Sequence, residues 1–233
     1  MEFPGPLLQA ELLRRYKRFL ADVRLPGGTL ATAHCPNPGS MMGLAEPGTE
    51  LWLSESADPK RKLRYGIELV RANGAFVGVH AGRGNAIVAA ALARGAIPEF
   101  LGYASVRREA AMGARSRVDF LLEGPGLPIC YLEVKSVTLR RGEAAIAEFP
   151  DAATERGARH LGELARLAKR GRRAAVLYLV QRGDCRRFRL AADIDPAYAQ
   201  AAAEARKAGV VALCYACAVS PGGIRLDRPL PME

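Results

Sequence analysis

At 233 residues the chain has room for one large domain or two small ones, and either arrangement can bury a core. A net charge of +10 and a pI near 9.7 direct its long-range field toward polyanions, either nucleic acid or an acidic membrane surface. The longest apolar run, residues 174–180, is far too short to cross a bilayer, and Glu2, Glu11, Arg14, Arg15, Lys17 and Arg18 interrupt any secretory leader. A soluble cytoplasmic protein with no membrane partner is therefore expected. Five cysteines, Cys35, Cys130, Cys185, Cys214 and Cys217, agree with that address, since they show no zinc-like paired spacing and three lie in apolar runs as reduced core residues.

From residue 12 to about 79, short apolar runs alternate with turn clusters such as Pro26-Gly27-Gly28, Pro36-Asn37-Pro38-Gly39 and Glu46-Pro47-Gly48. This density of turns predicts several short strands in a small barrel or sandwich. Arg14, Arg15, Lys17 and Arg18 interleave with Tyr16 and Phe19, as in modules that hold phosphates and stack on bases, and equally as in a half-buried strand. Lys60, Arg61, Lys62 and Arg64 lie beside Tyr65, and two such clusters on one barrel would form a continuous stripe. Residues 1–82 hold ten Lys/Arg against eight Asp/Glu, so the positive excess sits in residues 83–233.

A second unit opens with helical composition over 85–94, with Asn85 as N-cap and Gly95 as the stop. Residues 103–110, 116–122 and 129–137 read as three strands, with hairpin turns at Met112-Gly113-Ala114 and Gly124-Pro125-Gly126. A helix over 152–169, capped by Thr154 or Asp151, carries the stripe Leu161, Leu164, Leu167 and Ala168. A buried strand over 174–180, a helix over 196–208 and a strand over 210–219 follow. The order α-β-β-β-α-β-α-β predicts an α/β domain with a mixed sheet.

The chemistry concentrates on two neighbouring strands, Ser116-Arg117-Val118-Asp119-Phe120 and Tyr131-Leu132-Glu133-Val134-Lys135. Alternation puts Glu133 and Lys135 on one face, and sets Asp119 between Val118 and Phe120. A buried, unpaired carboxylate costs roughly several kcal/mol, and a hard divalent cation such as magnesium is a natural compensator. Lys135 would then orient a water or neutralise charge developing on phosphorus. The competing arrangement is a plain internal ion pair of Asp119 with Lys135 or Arg117, and of Glu133 with a neighbouring basic residue. Glu109, on the preceding strand, is a third candidate carboxylate or a surface acid beside Arg107 and Arg108. Arg156, Arg159 and His160 follow the helix cap within about a turn and a half, where a helix N-terminus can meet a phosphate.

Over residues 85–219 this layout resembles the PD-(D/E)xK nuclease superfamily, with Val118-Asp119 in place of Pro-Asp and the literal Pro150-Asp151 in a loop. The resemblance implies Asp119 and Glu133 as metal ligands and Lys135 as the catalytic lysine, with Mg2+ or Mn2+ as the cofactor, and Glu109 is the candidate for a third metal ligand beside them. Across the whole chain, RYKRFLADV (15–23), HCPNPGSM (34–41), PGTELWLS (47–54), RKLRYGIELV (61–70), SRVDFLL (116–122), YLEVKSVTL (131–139) and FPDAATERGARHLGEL (149–164) resemble the sugar fermentation stimulation protein A family. That resemblance implies an OB-like β-barrel over 1–82 and a nuclease-like α/β domain over 83–233. It also implies DNA binding without sequence specificity and a regulatory link to maltose use. A metal-dependent nuclease and a sugar-responsive regulator with a protein partner are the alternatives. No small-molecule cofactor is expected, and the sequence leaves a homodimer open.

Overall fold

The structure, a computed structural model, describes residues 1–112 and 116–233, so Gly113 and Ala114 of the expected hairpin turn lie outside the described residues. Strands β1 (Leu8–Tyr16), β2 (Leu20–Arg24), β3 (Leu30–His34), β4 (Glu50–Glu55), β5 (Tyr65–Ala72) and β6 (Ala75–Gly78) form one sheet in the order β3-β2-β1-β4-β5-β6. Parallel pairing of β3 with β5, at Ala33/Tyr65 and His34/Gly66, closes the first five strands into a barrel. Its interior is filled by alternate residues, among them Leu12, Val23, Leu51, Leu53 and Ile67.

The chain then forms α1 (Gly84–Ala93), β7 (Ser105–Ala111), β8 (Arg117–Glu123), β9 (Cys130–Val137), β10 (Ile146–Phe149) and α2 (Glu155–Lys169). It continues through β11 (Arg173–Val180), β12 (Arg187–Leu190), α3 (Pro196–Lys207), β13 (Val211–Ser220) and β14 (Gly223–Pro229). The second sheet has the order β14-β13-β11-β9-β8-β7. Strands β7, β8 and β9 are an antiparallel meander, whereas β9, β11 and β13 run parallel, so the expected mixed sheet is present. The parallel strand β11 is apolar almost throughout because both of its faces are covered. Ile87, Val88 and Ala91 of α1 pack on one face with Phe120, Leu132 and Leu177. Leu161 and Leu164 of α2 and Tyr198 of α3 pack on the other with Val118, Val176 and Tyr178.

Three strands go beyond the expected elements. The parallel pair β10 and β12 is only four residues a side, and β12 (RFRL) alternates charge with apolar residues too briefly to stand out. Strand β14 (GIRLDRP) ends in proline, which suits its place at the sheet edge.

The barrel and the second sheet share apolar packing. Trp52 and Leu69 belong to the same buried cluster as Phe3, Ile87 and Ile224. Main-chain bonds add to it, with Gly78 N donating to the Gln181 carbonyl (2.8 Å) and Val77 bridged to Arg182. Asp151, in the loop before α2, accepts from Met41 N (3.1 Å) and Ser40 Oγ (3.4 Å) of the barrel. A Cβ on Gly39 would fall on that carboxylate, so glycine permits the close approach.

One arginine fixes the loop that makes this contact. Arg15 donates to the carbonyls of Arg18, Asn37, Gly39 and Ser40 at 2.9–3.0 Å. Its planar fork is therefore spent on structure. Arg15→Ala should cost about 2 kcal/mol, seen as a fall of roughly 5 °C in Tm, and Arg15→Lys should recover little because an ammonium lacks the fork.

Candidate active site

Asp119 stands where β8 loses its neighbours. The β7–β8 register skips the pair Glu109/Asp119, and Glu109 there has a left-handed φ of 51°. The β8–β9 register ends at Phe120/Leu132, one step before Asp119 would meet Glu133. Simple alternation also fails here, since Val118 packs with the α2 and α3 side of the sheet and Phe120 with the α1 side. With both ladders interrupted, the chain is released from the regular pleat that periodicity predicts around Asp119.

The carboxylate fills the gap. Asp119 Oδ2 accepts from Val134 N (2.7 Å), and Oδ1 accepts from Asn85 Nδ2 (2.7 Å). Both donors are neutral, so neither the Arg117 nor the Lys135 ion pair left open by the sequence is its arrangement. Burial, helped by the nearby Glu133 charge, pushes the Asp119 carboxyl above its ordinary pKa.

Glu133 and Lys135 share a face as alternation requires, and Lys135 Nζ donates to Glu133 Oε1 (2.7 Å). The same oxygen meets His160 Nδ1 at 2.6 Å. Arg156 Nε points at His160 Nε2 from 3.5 Å, so the ring proton belongs on Nδ1, directed at Glu133. Burial alone would raise the Glu133 carboxyl, but the His160 hydrogen bond and the Lys135 charge overcome it and hold the group below the ordinary value. The other oxygen, Glu133 Oε2, is buried without a partner among the described residues. Nor, among those residues, do three acidic, His or Cys side chains form a ready-made metal cluster.

Two cavities meet at Asp119. A cleft of about 800 Å³ between barrel and sheet is lined by Arg18, Asn85, Asp119, Lys135, Arg156 and Gln181, among others. A second cavity of about 440 Å³ is lined by Glu109, Ser116, Arg117, Asp119, Glu133, Arg156, Arg159 and His160. Glu109 is thus an exposed wall of the acidic site. His160 is placed differently from the phosphate-facing expectation: it is 4 % exposed and points inward to Glu133, because it falls on the buried side of α2.

The barrel cations scatter. Arg14 pairs with Asp22 (2.7 Å) over the Tyr16 ring, and Arg15 is held by the carbonyls described above. Lys17 is exposed on the β1–β2 turn. Lys60 and Lys62 are exposed after β4, whereas Arg61 and Arg64 line a separate depression, with Arg64 paired to Glu55. Of the barrel candidates, Arg18 lines the cleft that contains Asp119.

A family model described as the SfsA N-terminal OB domain matches residues 13–79, and one described as the sugar fermentation stimulation protein RE domain matches residues 82–223. The chain belongs to the sugar fermentation stimulation protein (SfsA) family. A homolog from Rhodospirillum centenum is 55% identical over 233 residues, covering all of both chains, and one from Ruegeria pomeroyi is 56% identical over 97% of this chain and 98% of its own. The solved structure of Pyrococcus furiosus SfsA in complex with Ca2+ superposes with a TM-score of 0.91 at 28% identity, covering 100% of this chain and 98% of that one.

For this family member, sequence reasoning misses Asn85 and Gln181 as site residues. Asn85 is expected to cap α1, but the cap position is Arg83, without a side-chain cap, and Asn85 lies inside the first turn with its amide on Asp119. Gly84 makes that reach possible, since a Cβ there would meet Ser136 Oγ at 2.8 Å. The expected cap of α2 is present in Thr154, which accepts from Gly157 N (3.1 Å).

Because Glu133 is held below its ordinary pKa, its contribution to stability is present above the unfolded carboxylate range and lost as pH falls through the folded value. Glu133→Gln should therefore lower the Tm of EDTA-treated protein at pH 7, with the gap to wild type closing as pH falls below about 4. A gap that stays constant with pH would show that the charge on Glu133 is not what His160 and Lys135 stabilise.

Proposed function

We propose that this protein grips DNA without reading its sequence and hydrolyses phosphodiester bonds at Asp119, Glu133 and Lys135 with a divalent cation, magnesium or manganese. The observation that carries the reading is Glu133 Oε2, a buried carboxylate oxygen without a partner among the described residues, beside a second, half-buried acid whose donors are neutral. That donor set suits a hard cation held by Asp119 and Glu133, with Glu109 able to join from the cavity wall. The relative from Pyrococcus furiosus was solved with Ca2+, an oxygen-seeking ion, which supports the same chemistry here. When bound, such an ion neutralises phosphate charge and makes its water more acidic.

The chain's own residues supply the rest. His160 and Lys135 fix one oxygen of Glu133, which leaves the other with a set direction. Asn85 and Val134 N fix Asp119 in the same way. Lys135, anchored by Glu133, presents its ammonium to negative charge developing on a phosphate. Arg18, Arg117, Arg156 and Arg159 surround the acids on the two cavities and suit backbone phosphates, contacts that carry no sequence information. In this reading residues 1–82 form the nucleic-acid-binding barrel and residues 83–233 the nuclease-like domain.

Purified protein should nick supercoiled plasmid or cut a single-stranded oligonucleotide only with magnesium or manganese. Asp119→Asn, Glu133→Ala and Lys135→Ala should each lower the rate by about a hundredfold or more. Arg18→Gln, Arg156→Gln and Arg159→Gln should weaken binding equally across sequences and reduce the salt slope by roughly one for each phosphate no longer neutralised. Salt-sensitive binding by wild type without cleavage would leave a DNA-binding protein on a nuclease-like scaffold.

A further inference from the structure

Gln181 is fully buried, yet neither its amide oxygen nor its amide nitrogen has a partner among the described residues. Its backbone is pinned at the end of β11, where its N–H donates to the Val137 carbonyl (2.9 Å) and its own carbonyl accepts from Gly78 N (2.8 Å). Gln181 is among the residues that line the cleft, together with Asp119 and Lys135. A Cβ at position 78 would stand 3.0 Å from Gln181 Oε1, so glycine there leaves the amide uncrowded. Buried polar groups are paired in folded proteins, and a primary amide with both ends unengaged at the wall of a cleft is arranged for a ligand.

The chemistry of that ligand follows from the walls. A carboxamide offers a donor beside an acceptor, the complement of a nucleobase edge. Arg18 at the barrel side and Arg156 at the α2 side place positive charge where a backbone would run. The cleft volume of about 800 Å³ is in the range of small-ligand sites and too small for a duplex. Base edges that would reach a buried amide in such a cleft are hidden when the base is paired and stacked, and free in a single strand. Phe19, 41% exposed next to Arg18 on the β1–β2 turn, adds an aromatic face of the kind single strands stack on.

We propose that the cleft between barrel and sheet takes an unpaired nucleotide, with the Gln181 amide hydrogen-bonded to its base while the strand crosses Asp119 toward Arg117 and Arg159. The inference rests on the reading of this site as a nucleic-acid-processing centre and assigns it single-stranded segments as substrate. The test is fluorescence anisotropy of the full-length protein with calcium present, using a labelled oligothymidylate, an abasic deoxyribose-phosphate strand of the same length, and a blunt duplex.

Wild type should bind oligothymidylate at least about tenfold more tightly than either of the other probes. Gln181→Leu should remove most of the preference for oligothymidylate over the abasic strand while leaving abasic binding unchanged. Phe19→Ala, a surface change, should weaken oligothymidylate binding more than abasic binding. A misfolded variant would lose both strands equally, so thermal melting of each variant and the abasic strand together separate a missing base interaction from a disrupted fold. Duplex bound as tightly as oligothymidylate, or a well-folded Gln181→Leu protein with the wild-type preference, would overturn this inference and leave the proposed nuclease function standing. A wild type that binds none of the three probes would overturn both.

Discussion

Beyond Phe120 and Leu132 the ladder between β8 and β9 stops, and the backbone N–H of Val134 faces a gap in a buried sheet. Left unpaired, such a donor would cost about 1–3 kcal/mol. A side-chain carboxylate takes it, and that substitution of Asp119 for a main-chain acceptor organises everything nearby. It draws Asn85 in from α1 as the second donor, and it keeps the acid in place without neutralising it. It also places Asp119 beside Glu133, whose single engaged oxygen is shared by Lys135 and His160. The two acids thus differ in environment: one is raised by burial among neutral donors, the other lowered by a histidine and a lysine.

Much of this is legible in residue order. Acids placed among apolar residues on adjacent strands signal a compensated cluster, and the Glu-x-Lys spacing alone puts two of its members on one face. The barrel is legible from turn density, and the mixed sheet from the order of helical and extended segments. What cannot be read is anything set by where strands part. Periodicity assigns Asp119 to a regular pleat, but Val118 and Phe120 pack on opposite sides of the sheet, and only the interrupted ladders account for it. Asn85 is hidden for a related reason, since asparagine before an alanine-rich helix has an adequate local explanation as a cap. His160 takes its apparent role from its neighbours at a helix start, whereas helical phase turns it inward while Arg156 and Arg159 stay out. The interleaved cations of residues 14–19 show the limit of composition. Their charges are counted correctly, but Arg14 is neutralised by Asp22 and Arg15 is bound to four carbonyls.

The contacts between barrel and sheet are of several kinds. Asp151 reaches the 40–41 segment, Gly78 bonds to the strand end at Gln181, and Trp52 and Leu69 sit in a cluster with Phe3, Ile87 and Ile224. The last of these has the largest energetic weight, because separating the units would bring large apolar side chains into water, at about 25 cal/mol for each Å² exposed. The cleft beside Asp119 is therefore a property of both units. Its walls come from the barrel loop at 37–39 and from the loop preceding α2, and Arg15 and Asp151 hold the two at a set spacing.

Domains joined by small polar interfaces commonly rotate about their linker to admit a ligand. Here the apolar cluster anchored by Trp52 and Leu69 works against such a hinge. For the nucleic acid proposed as its ligand, that anchoring makes the gap between barrel and sheet a gauge of width, so that the thickness of the strand offered to the cleft is selected before any base or phosphate is recognised.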